Sequence, residues 1–163
     1  MEVKGLRELE LALAELPKAT ARNTLVRAGK EALKPFLEDV KAMAPVDEPG
    51  QTPERPPGTY RDSWIISTRL NRNQARFARR EGKSFAEVYA GTNDPLGVPL
   101  EFGTVERVQS ATGRETGRIT AKPHGRPAWD GAHSQVLSDL GGILFGEIQK
   151  SAERLARKRA KGG

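Results

Sequence analysis

Few residues in this chain combine type and spacing in a way that supports catalysis. There is no cysteine, which removes thiolate nucleophiles, disulfide scaffolds and Cys-ligated zinc, and fits a protein made inside a cell. The two histidines, His124 and His133, are nine residues apart and fall on no metal-ligand spacing. Gly82-Lys83-Ser84 looks like the end of a phosphate-binding loop, but that loop needs a glycine five residues earlier, where Phe77 stands. The stretch before it, Gln74 to Arg80, is rich in arginine and unsuited to wrapping phosphates with its backbone. No Gly-x-Ser-x-Gly occurs, and His133 and Ser134 are chain neighbours that face different directions on a helix. The 21 carboxylates are scattered and mark no acid–base couple. The expectation is a non-enzyme that holds no metal and no cofactor.

What the sequence does concentrate is positive charge. Residues 69–83 carry six basic side chains and one acidic, and residues 150–163 repeat that balance. The remainder is slightly acidic, so the net charge of +6 resides in two short segments. Arg69, Arg72, Arg76, Arg79, Arg80 and Lys83 in the first, and Arg157, Lys158 and Arg159 in the second, are candidate contacts to another subunit or to nucleic acid. No base-reading motif accompanies them, so only phosphate contact is indicated. The competing reading is a solvated loop and a solubilising helix end.

The elements that must position these residues follow from hydrophobic spacing. Leu6, Leu9, Leu13 and Leu16 predict a helix over 6–16 that Pro17 closes. Leu25, Ala28, Ala32, Phe36, Val40 and Met43 predict a second helix over 19–43, kinked at Pro35, with two abutting helices as the other option. Seven prolines and glycines crowd 45–58 and predict a loop. Alternation over 64–70 predicts a strand, as does 85–92. The basic segment between them extends both strands as a ribbon or forms a short helix around 74–80. Weaker strand signals lie at 104–109 and 118–122, with a turn at 110–117. Tyr60, Trp64 and Tyr89 sit on strand signals and read as core. A long helix over 126–159 opens on Arg126-Pro127, is interrupted by Gly141-Gly142, and brings Trp129 against the sheet.

With 163 residues, a single domain is expected: α+β, with two N-terminal helices, a mostly antiparallel sheet of three to four strands, and a long C-terminal helix packed on the sheet. An apolar share of 36% is low for that length. Either subunits share burial in an assembly, or polar loops are long. No apolar run is long enough to span a membrane, and the N-terminus shows no secretory signal.

Leu100-Glu101-Phe102-Gly103-Thr104, followed some twenty residues later by Arg126-Pro127-Ala128-Trp129-Asp130, resembles the small neck or tail-completion proteins of long-tailed bacteriophages. These are also known as minor tail or head–tail joining proteins. Such proteins have a Glu-Phe-Gly-Thr turn after a strand and an Arg-Pro-Ala segment that opens the last helix. The Leu-striped first helix, the second helix ending at Ala44-Pro45, and Gly58, Arg61 and Ser63 at a strand opening have counterparts there, so the resemblance covers roughly 6–150. The chain departs from the pattern just before Arg126, where His124 and Gly125 replace an aromatic and a large apolar residue.

Within the motif, Gly103 permits a backbone angle or close approach that a side chain forbids, Phe102 can anchor the turn in the core, and Glu101 and Thr104 can bond backbone or Arg126. The resemblance implies a virion protein at the head–tail junction. It would be a homo-oligomeric ring, six-membered by analogy, between a tail terminator or tail tube and the head-side connector or stopper, around a DNA channel. The alternative is a DNA-binding protein that uses the two basic clusters. A third candidate, a toxin or hydrolase, finds no nucleophile motif to support it.

Overall fold

A computed structural model of the chain describes residues 6–47, 55–77 and 85–161. In chain order the elements are helices α1 (Leu6–Ala14), α2 (Lys18–Ala32), α3 (Lys34–Met43) and α4 (Thr59–Asp62), strand β1 (Trp64–Ser67), helix α5 (Arg72–Phe77), strand β2 (Tyr89–Thr92), helix α6 (Gly97–Phe102), strands β3 (Arg107–Val108) and β4 (Glu115–Gly117), and helix α7 (Gly125–Lys161). The protein is α+β, and it divides into two compact units. The first comprises Met1–Pro35, Ile66–Tyr89 and His133–Gly163; the second comprises Phe36–Ile65 and Ala90–Ala132.

In the first unit, α1, α2 and α7 bury their apolar faces together. Leu9, Ala28, Leu144 and Ile148 form the core, with Leu13, Leu16, Leu25 and Ile143 packed around it. Small residues on α2 permit close packing: Ala28 is buried, and a Cβ built on Gly29 would lie 3.0 Å from the Val88 side chain. A polar group lies beside this core. Thr24 Oγ1 and Ser151 Oγ are 2.8 Å apart, and Arg27 reaches Ser151 at 2.8 Å and Glu147 at 2.6 Å. Both hydroxyls are fully buried, so these bonds replace the water they lose.

The second unit contains most of α3, the short helices α4 and α6, the β3–β4 hairpin and the first turns of α7. Its core includes Val40, Tyr60, His124 and Ala128. Arg55 is ion-paired with Asp94, whose side chain is almost wholly buried; Asp94 also accepts the Leu96 N–H at 2.9 Å, which shapes the entry to α6.

Several expectations need correction. The predicted second helix is two helices that meet at Leu33, not one kinked helix. The restart at Lys34 places Pro35 in a first turn, where a missing N–H costs little. Its buried positions keep a spacing of four, from Thr24, Ala28 and Ala32 to Phe36 and Val40, but Met43 is exposed. There is no three- to four-stranded sheet among the described residues. β1 pairs with β2, and β3 pairs antiparallel with β4, as two separate two-stranded sheets. Strands of two to four residues offer too little edge to add a third. Residues 118–122 form no strand; in the described part of the basic segment Arg72–Phe77 form α5, which overlaps the helical option at 74–77, and residues 78–83 lie outside the described residues. Tyr60 lies on α4 rather than a strand. α7 packs chiefly on helices rather than across a sheet: Trp129 meets Phe36 of α3 edge-on, with ring centroids 5.4 Å apart, and only its first residue, Gly125, lies against Trp64 of β1. α7 runs through Gly142 unbroken, and a Cβ there would touch nothing within 4 Å.

Candidate functional site

The two motif segments meet at the N-terminus of α7. A helix begins with backbone N–H groups that have no partner within the helix. Here one carboxylate supplies the partner. Glu101 accepts from the N–H of His124 (3.0 Å), Gly125 (2.9 Å) and Arg126 (2.9 Å). Pro127 has no N–H to satisfy, and Ala128 donates to the His124 carbonyl at 3.0 Å. Burial opposes the charge on Glu101, but the three N–H groups outweigh it and hold the carboxyl below its ordinary range.

Gly103 delivers Glu101 to that position. Contrary to expectation, Glu101-Phe102-Gly103-Thr104 is not a turn after a strand but the C-terminus of α6. The Gly103 N–H bonds Pro99 O at 2.8 Å, and the chain leaves the helix with φ of +73°. A Cβ on Gly103 would lie 3.2 Å from both the Ile119 carbonyl and the Ala121 N. That closeness is used: Thr104 N–H bonds Ile119 O, the Ile119 N–H bonds Thr104 Oγ1, and the Lys122 N–H bonds Leu100 O. Phe102, expected as a core anchor, is 75% exposed, because the last turn of α6 directs it outward.

His124 and Gly125, which depart from the family pattern, are both accounted for. His124 is 1% exposed. Its Nδ1 lies 2.8 Å from the Lys122 carbonyl, which can only accept, so Nδ1 carries the proton. Nε2 shares a hydrogen bond with Tyr60 Oη at 2.7 Å. The ring also stands edge-on to Tyr60 and Trp64. Gly125 lies beneath Trp64, and a Cβ would come within 3.2 Å of that indole. Burial raises the Tyr60 phenol above its ordinary value; Trp64 opposes this, and the charges of Glu101 and Asp94 add to it. The Trp64 Nε1–H is buried without a partner of good hydrogen-bond geometry among the described residues.

Beside this cluster lies an apolar groove of about 520 Å³. Phe36, Trp64 and Trp129 line it, Val98 and Phe102 stand at 69% and 75% exposure, and Arg126 is at its edge. Its lining was missed in the sequence. Phe36 and Trp64 read only as core, and Val98 lies on α6, whose Gly97 and Pro99 conceal a helix. No cluster of three or more His, Cys, Asp or Glu side chains suited to a metal ion occurs among the described residues.

Of the basic candidates, Arg69, Arg72 and Arg76 are exposed on β1-to-α5 surface, and Arg157 and Lys158 are exposed near the end of α7. Arg157 lies 3.5 Å from Glu153. Arg79, Arg80, Lys83 and the rest of the Gly82-Lys83-Ser84 stretch lie outside the described residues, as does the side chain of Arg159.

Fold and site together define an α+β protein whose best-formed features are a capped helix and an aromatic groove. A family model described as "Bacteriophage HK97-gp10, putative tail-component" matches residues 7–103, more than half of the chain. The chain belongs to this HK97-gp10-like family of phage tail components, which is a structural family. The matched span ends on Gly103, so it contains Glu101 but not the α7 residues that Glu101 caps. No curated protein and no solved structure matches the chain. Among the described residues, no helix is long and apolar enough to cross a membrane.

Proposed function

We propose that the protein completes the head-proximal end of a phage tail and joins it to the head connector, as a ring of identical subunits around the DNA channel. Membership of a tail-component family over residues 7–103 carries this reading. The surface supports it. Val98, Phe102, Val105 and Val108 are all more than half exposed, an arrangement suited to contacts with neighbouring subunits. The test is electron microscopy of lysates in which the reading frame is interrupted early. Filled heads beside separate tails, or tails with abnormal proximal ends, are the expected result; normal joined virions would refute it.

A second reading is contact with duplex DNA through the basic segments. The exposure of Arg69, Arg72, Arg76 and Lys158 favours it. Such binding would be independent of base sequence and would weaken steeply with salt. Filter binding of duplex DNA across a salt series tests it, and salt-insensitive or undetectable binding removes it.

A further inference from the structure

We propose that subunits join head to tail, with Phe145 of one copy seated in the Phe36–Trp64–Trp129 groove of the next. This rests on the ring reading above and specifies the surfaces that would make it.

A head-to-tail interface requires two different complementary surfaces on one chain. The groove is the concave one. Phe145 offers the convex one. It is 52% exposed on α7 within the first unit, and it stands between Gly142 and Gly146, where an added Cβ would meet nothing within 4 Å. Gly141 and Gly142, one turn before Phe145, carry no side chains, so a partner can approach the ring closely from that side. A groove of about 520 Å³ lined by aromatic rings accepts a phenyl ring together with residues beside it. Buried aromatic anchors of this kind dominate interface energetics.

Charge selects the same pairing. The segments of the first unit carry 19 basic and 10 acidic side chains, and those of the second carry 8 and 11. A positive unit bearing the knob and a negative unit bearing the groove attract each other between copies. Like units repel, which disfavours contacts of first unit with first unit or second with second. The surplus of positive charge remains after such pairing.

The absence of cysteine makes the test specific. Full-length Gln149→Cys and Val98→Cys proteins are mixed and treated with a short bis-maleimide; Gln149 is exposed one helical turn beyond Phe145, so both variants keep the anchor. The expected result is cross-linked dimer in the mixture at about ten-fold the level given by either variant alone. Equal yields in all three samples, under conditions where the unmodified protein sediments as an oligomer, overturn the proposal and leave the ring intact. A protein that sediments as a monomer alone and fails to bind purified tails overturns the ring itself. In parallel, Phe145→Glu and Val98→Glu are each expected to be monomeric, and their mixture to form dimers only, since one retains the groove and the other the knob. Oligomers that persist in folded Phe145→Glu, verified by circular dichroism, also overturn the proposal.

Discussion

Glu101 Oε1 accepts the backbone N–H of Arg126 at 2.9 Å, which joins two sequence motifs separated by 25 positions. The separation in sequence is thus a contact in space. The motif containing Glu101 ends one helix, and the motif containing Arg126 begins another. Glu101→Gln keeps the shape but replaces one acceptor oxygen with a donor group. We expect a loss of about 1–3 kcal/mol, the range for charge-assisted capping bonds. Urea unfolding checks this, and an unchanged midpoint would show that the cap contributes nothing.

The same carboxylate makes stability depend on acidity. Its folded-state pKa is depressed, so it stabilises the fold above the unfolded-state value, and that contribution disappears as pH falls through the folded-state value. Glu147, held below its ordinary range chiefly by the Arg27 guanidinium, acts in the same direction. The stability gap between the native protein and Glu101→Gln should therefore narrow as pH falls below the carboxylate range. A gap that is constant from neutral to acid pH contradicts this assignment.

Thr24, Arg27 and Ser151 form a shared network, so their substitutions should not add. Ser151→Ala leaves the buried Thr24 hydroxyl and the Arg27 Nη2 short of a partner and should cost about 1–3 kcal/mol. Thr24→Val alone should cost a similar amount. The double variant should cost less than the total of the two, with a coupling of about 0.5–3 kcal/mol, read from a double-mutant cycle.

Two glycines should respond in opposite directions to alanine. Gly103→Ala meets both a positive φ and carbonyl and amide atoms at 3.2 Å, and should destabilise by about 1–3 kcal/mol. Gly142→Ala adds a methyl to open helix surface and should stabilise by about 0.5–1 kcal/mol. Thermal melting separates them, because each kcal/mol shifts the midpoint of a chain this size by roughly 2–4 °C.

Local spacing made the helices legible. Ala28, Ala32, Phe36 and Val40 recur every four residues, and each is buried. The start of α7 was legible because Pro127 suits only a first turn. The sheet was not, since alternation over 64–70 says nothing about partners, and only Trp64–Ser67 pair. Tyr60 and His124 are 64 residues apart, and Arg55 and Asp94 are 39 apart. Pairs at such separations leave no periodic trace. Phe102 was misplaced for a different reason. Hydrophobicity marks a residue for burial without saying whether the same chain or a neighbour covers it.

The cap on α7 has a consequence for how this helix end would receive an anion. A helix N-terminus with free amides is a natural docking point for phosphate. Here Glu101 already occupies that position, and Pro127 removes a further amide. In the proposed ring, a nucleic-acid backbone brought to this end of α7 would meet a filled pole and a negative charge rather than free amides.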